Sequence, residues 1–115
     1  VAENYTADSY DVVALTYAHL PKQVKEKYHR SLLPLLKVGG YVIIEGFRKD
    51  QFENQQSNPK AGGPPDVGMM YSKEEILTIF DSLEIILLEE KDVEMAEGTG
   101  HNGKSAIIRF VGKKK

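Results

Sequence analysis

The sequence has no cysteine among its 115 residues. Disulfides and thiolate metal sites are thereby excluded, and a reducing, cytoplasmic location is the expectation. An excess of either charge is also missing. Fifteen basic against 17 acidic residues leave a formal net charge of -2, too small to imply a nucleic-acid or membrane partner. Lys113, Lys114 and Lys115 are the one basic cluster, read as a solvated tail. No apolar run approaches the roughly 20 residues a membrane helix needs. The opening VAENYTADSY lacks the charged and apolar segments of a signal peptide. It also lacks an initiator Met, so a piece of a longer chain is expected.

The hydrophobic fraction of 41% and charged fraction of 28% are ordinary for one compact domain of this length. Residues 10–16, YDVVALT, form a short continuous apolar run, which predicts a strand buried on both faces. Pro21 is placed to open a helix. Val24, Tyr28, Leu32, Leu35 and Leu36 then repeat at helical spacing, with Pro34 set to kink or restart that helix. Gly39 and Gly40 are read as its stop. Tyr41–Glu45 predicts a second buried strand rich in β-branched residues. Strand, helix, strand is a right-handed parallel crossover.

Residues 48–70 are polar and without period, and read as a long loop of the kind that forms lids. Ser72 and Glu75 make a capping box, with Tyr71 and Ile76 as its hydrophobic staple. Ile76, Ile79, Phe80 and Leu83 are the expected buried face of the helix it opens. Leu83–Leu88 predicts a strand running into the acidic stretch Glu89–Glu97, read as a solvated hairpin arm. Ala106–Val111 predicts the last strand.

Residues 98–105, GTGHNGKS, satisfy both G-x-G-x-x-G and G-x-x-x-x-G-K-[ST]. Either pattern needs a strand before it and a helix after it, so that backbone N–H groups converge on the anion. The residues after Ser105 are AIIRFVGKKK, β-branched and too short for strand plus helix. A turn between two strands is the reading, and a phosphate-loop nucleotide-binding protein is only a distant third one. No pair of His19, His29 and His101 has metal-ligand spacing, so no metal is expected. His29 is placed on the helix surface or boundary. His19 and Glu45 follow the C-terminal ends of the two parallel strands, where open α/β sheets bind ligands. Met69-Met70-Tyr71 either lines an apolar pocket or docks the loop on the core.

Asp11-Val-Val-Ala-Leu15 with His19-Leu-Pro21, then Leu35-Leu-Lys-Val-Gly-Gly40-Tyr-Val-Ile-Ile-Glu45, then Glu97-Gly-Thr-Gly-His-Asn-Gly103, occur in this order. The chain thereby resembles the C-terminal half of a class I S-adenosylmethionine-dependent methyltransferase, of the small bacterial tellurite-resistance-like and thiopurine-like branch. The resemblance implies a single α/β domain over residues 1–115, with a partial Rossmann-like sheet of strands 4-5-7-6 in the family's naming. The last strand is antiparallel, and helices flank the sheet. The glycine-rich loop and the acidic residue that hold the cofactor in that family belong to the N-terminal half and are not in this sequence. The fragment alone is therefore expected to be inactive and to bind S-adenosylmethionine weakly or not at all.

By position, the resemblance puts Thr16, Tyr17 and His19 at the cofactor. Glu45, Phe47, Tyr71 and His101 face a small-molecule methyl acceptor, with His101 or His19 as general base. A non-catalytic α/β binding or oligomerisation module is the alternative. The apolar strand at residues 11–16 would present an open edge, so a homo-oligomer is expected through it.

Overall fold

The computed structural model describes residues 8–17, 20–58, 61–64, 66–97 and 101–115, with the backbone alone for 94–97 and 101–104. In chain order the elements are β1 (Tyr10–Thr16), α1 (Lys22–Leu32), a 3-10 turn (Leu33–Leu35), β2 (Leu36–Phe47) and α2 (Gln51–Ser57). A second 3-10 turn (Val67–Met69), α3 (Lys73–Ile79), β3 (Leu83–Glu97) and β4 (His101–Lys114) complete them. The four strands form one mixed α/β sheet in the order β1-β2-β4-β3. β1 and β2 are parallel, and β4 runs antiparallel to both β2 and β3. The order and the directions are those expected.

Two signals in the sequence act as read. Pro34 lies at the start of the 3-10 turn after α1, where its missing N–H is harmless. Ser72 Oγ accepts the Glu75 N–H at 3.1 Å and caps α3, while Tyr71 and Ile76 enter one buried cluster. Ile76, Ile79, Phe80 and Leu83 are all buried.

Four expectations are corrected. Gly39 and Gly40 stop no helix, because both lie inside β2. Gly39 has φ +87° beside a register shift in the β1–β2 pairing, and a Cβ on Gly40 would meet the Asp11 carbonyl oxygen at 2.9 Å. Glycine serves a close approach of two strands there. Next, the buried face of α1 is rotated from the apolar one. Val24 is 48% exposed, whereas Lys25 and His29 are buried with Leu32. Hydrogen-bonded polar groups inside the fold override the hydrophobic stripe there. His29, expected at the surface or boundary, has no exposed area. Third, residues 48–70 carry α2 and a 3-10 turn, and buried polar bonds from Gln51 and Lys25 tie them down. Last, among the described residues the two parallel strands are covered on one face, and on the other only at the Phe47 end of β2.

That one-sidedness sets the core. Val42, Ile44, Ile108 and Phe110 face α1 and α3 and pack with Leu36, Ile76, Ile79 and Phe80. The Phe80 and Phe110 rings stack at 5.4 Å. On the other face Val12, Ile43 and Leu87 are 37–48% exposed. No helix among the described residues is long and apolar enough to cross a membrane. Phe110→Ala is expected to lower the unfolding free energy by about 3–5 kcal/mol, since it empties a packed site. Ile43→Ala, on the open face, is expected to cost about 1 kcal/mol or less. Urea unfolding of the two variants checks the difference.

Candidate functional site

The parallel strands bring two chain ends side by side, with Thr16 opposite Glu45. The chain leaves β1 through Tyr17, whose φ of 54° is left-handed. A bulky residue seldom adopts that conformation, which stores of order 1–3 kcal/mol and is held by its surroundings. Here the Tyr17 N–H donates to the Glu45 carbonyl oxygen at 2.6 Å. Its ring sits 5.3 Å from that of Phe47, which packs with Met70 and Ile107. One row of cross-strand neighbours then crosses the open face of the sheet: Thr16, Glu45, Arg109 and Glu89. Arg109 Nε donates to the Glu45 carboxylate, and Nη1 lies 3.5 Å from Glu89.

The wall beside this rim is fixed by Gln51, which is fully buried. Its Oε1 accepts from the Ala106 N–H and the Asn54 amide, each at 2.8 Å, and its Nε2 donates to the Gly62 carbonyl at 2.8 Å. Gln55 Nε2 donates to Pro64 O at 2.9 Å. Gly63, at φ +111°, lies against Gln51, Gln55 and Phe47, and a Cβ there would meet Gln55 Nε2 at 3.0 Å. Arg48 fastens the hairpin from the other side, donating to Lys91 O at 2.7 Å, Ile107 O at 3.1 Å and Asp92 at 2.8 Å. Burial works against the Arg48 charge, but the bonds to Asp92 and Asp50 prevail and raise its pKa.

A second polar cluster lies under the helices. Lys25 Nζ donates to Gly68 O and Met70 O, each at 2.8 Å, and pairs with Glu75 at 2.7 Å. Lys49 holds the other Glu75 oxygen at 2.6 Å. Burial alone would raise the Glu75 pKa, but the hydrogen bonds from Lys25 and Lys49 outweigh it and hold it below the usual value. His29 Nε2 is 3.4 Å from the Tyr71 hydroxyl, and Nδ1 has no hydrogen-bond partner. Burial first, then the Lys25 charge, push His29 down to about 4. Burial and the Glu75 charge push Tyr71 up to about 12. A cleft of about 480 Å³ opens above this cluster, lined by Lys22, Lys25, Glu26, Lys49, Glu74 and Glu75 among others. Its floor is spent on internal bonds and ties α1 to α3, so the cleft is a seam between helices.

Of the residues expected at a site, the fold brings Thr16, Tyr17, Glu45 and Phe47 together at one rim, though Phe47 is only 2% exposed. Tyr71 is equally buried and faces His29 under the helices, away from Glu45. His19 lies outside the described residues. The His101 backbone pairs with Glu97 at the far end of the hairpin. Six residues separate it from Ile107, the partner of Phe47, which is roughly 20 Å of extended strand. Its side chain is outside the description. The GTGHNGKS stretch contributes β4 from His101 onward, and strand, with no helix, comes after Ser105. Arg109, Arg48 and Gln51 were missed. An Arg on a strand opposite a Glu is legible once the register is known; Gln51 carries no sequence signal at all.

No protein-family model matches the sequence, and no curated protein matches it. Solved structures do match the fold. TehB from Haemophilus influenzae superposes with a TM-score of 0.68 at 16% identity, covering 99% of this chain and 38% of that one. A SAM-dependent methyltransferase from Methanosarcina mazei gives 0.68 at 14%, covering 96% and 61%. Another from Archaeoglobus fulgidus gives 0.61 at 14%, covering 98% and 63%. The chain thus has the fold of part of a SAM-dependent methyltransferase and spans about 40–60% of the length of these structures.

Glu75→Gln is expected to cost about 3 kcal/mol, because it leaves the buried Lys25 ammonium with carbonyls alone. Lys49→Ala, removing an exposed partner of the same carboxylate, is expected to cost under about 1 kcal/mol. Thermal unfolding ranks the two. The His29 depression also fixes a pH dependence. Between about 4 and 6.5 the unfolded chain binds a proton that the folded chain refuses. Stability therefore falls as pH drops through that window, by of order 1–3 kcal/mol. His29→Gln is expected to flatten that limb in urea titrations run from pH 7 to pH 4.

Proposed function

We propose that this chain is part of an S-adenosylmethionine-dependent methyltransferase that methylates a small molecule, of the tellurite-resistance-like and thiopurine-like kind. The observation that supports the reading best is Tyr17, a bulky residue in a left-handed turn at the C-terminal end of a parallel strand. Open α/β sheets bind ligands outside such strand ends, and backbone strain gathers at ligand clamps. The rim fits an amphipathic ligand such as this cofactor: Thr16 is exposed and Tyr17 half-exposed, beside the Glu45–Arg109 pair.

Bound S-adenosylmethionine supplies a methyl group already activated on its sulfonium, so little covalent chemistry is left to the protein. Thr16, Tyr17 and His19 orient the methionine end. The ion pair fixes the Glu45 carboxylate in place, and the wall held by Gln51 limits water beside Phe47. If the acceptor must lose a proton, His19, which follows β1 and the rim in the sequence, takes it at neutral pH. Tyr71 enters through Phe47, whose carbonyl accepts the Tyr71 N–H at 2.9 Å.

Calorimetric titration of S-adenosylmethionine is the test, on this chain and on one extended at its N-terminus. Binding is expected to be at least tenfold tighter in the longer chain and to weaken on Tyr17→Ala. Equal, negligible heats in both would favour a non-catalytic module. Tight binding to the short chain that Tyr17→Ala leaves untouched would remove the rim from the cofactor site.

A further inference from the structure

β2 stops pairing with β4 at Phe47, opposite Ile107, and the chain then turns toward α2. Ala106, one place beyond that last pair, is buried and still has two backbone groups to satisfy. Its carbonyl accepts the Arg48 N–H at 3.0 Å, and its N–H donates to Gln51 Oε1 at 2.8 Å. A buried N–H left without a partner is costly, so the Gln51 carboxamide stands in for the strand that has ended. Gln51 is also the one buried residue of α2, so this side chain seats the helix.

The nitrogen of the same carboxamide holds the Gly62 carbonyl, and the next residue, Gly63, lies against the Phe47 ring. That buried ring packs with Met70 and Ile107 and backs the Tyr17 ring at 5.3 Å. Tyr17 needs such backing. A left-handed tyrosine relaxes to extended backbone unless its surroundings forbid it. We propose that Gln51 is a positioning residue of the rim, holding Tyr17 left-handed through Gly63 and Phe47. What Tyr17 meets at the rim rests on the methyltransferase reading; the hold on its backbone does not.

Gln51→Met keeps the size of the side chain and removes its hydrogen bonds. In this chain it is expected to move the Tyr17 scalar couplings, measured by NMR, from left-handed toward extended backbone. It is also expected to speed exchange of the Tyr17 amide, which is bonded to Glu45 O, by about tenfold relative to the core amide of Ile44. Should Gln51→Met fail to fold, Gln51→Glu, which keeps an acceptor for Ala106 and loses the bond to Gly62, is expected to shift Tyr17 in the same direction. In the chain extended at its N-terminus, Gln51→Met is expected to weaken S-adenosylmethionine binding about three- to tenfold, and to have no effect once Tyr17 is already alanine. A Tyr17 that stays left-handed in the folded Gln51 variants would overturn the proposal. So would a weakening of equal size with and without the Tyr17 side chain. No cofactor binding by the unaltered extended chain would remove the methyltransferase reading, and the Tyr17 couplings would then decide the hold on their own.

Discussion

The Lys25 ammonium sits out of water and spends its donors on Gly68 O, Met70 O and Glu75. Those acceptors belong to the second 3-10 turn, the residue after it and α3, so one charge joins three segments to α1. Desolvating an ammonium is expensive, and the arrangement survives only because every bond is made together. Neighbouring residues of the chain inherit their position from that point. Tyr71, next to Met70, exchanges backbone bonds with Phe47 and Lys49, which sets where β2 ends and where the rim begins. The same tie explains why α1 buries its lysine face and leaves Val24 in water.

The rim and the seam do different work. The seam is closed upon itself, with a histidine and a tyrosine held neutral by burial. The rim is open, strained at Tyr17, and lined by groups that still reach solvent. Such a division places rigidity beneath the sheet and leaves the strand ends open, where a ligand could approach without disturbing the core.

What was legible in the sequence was local. The capping box of α3, the restart at Pro34 and the crossover from β1 to β2 each depend on residues a few positions apart, and each stands as read. Contacts between distant segments were not legible. Gln51 is buried because Ala106, 55 residues away, needs an acceptor for its N–H. His29 and Lys25 broke the apolar stripe of α1 because their partners lie more than 40 residues on. Continuous apolar runs also misled: YDVVALT and YVIIE read as strands covered twice, but among the described residues Val12 and Ile43 stay exposed opposite the face that α1 and α3 cover. At the rim, Glu45 came from a strand end and Thr16 and Tyr17 from the family resemblance, whereas Arg109 needed the register of β4 against β2.

The row Thr16, Glu45, Arg109 and Glu89 has a further consequence for behaviour in solution. It crosses the open face as a band of alternating charge and separates the Phe47–Ile107 cluster from the apolar row Ala14, Ile43, Val111 and Leu87. Apolar area broken in this way offers no broad surface for indiscriminate sticking. The band ends at the uncharged Thr16, so its protection covers the flat of the sheet and stops short of the β1 edge. Colloidal tolerance of the open face thus depends on a single ladder of side chains.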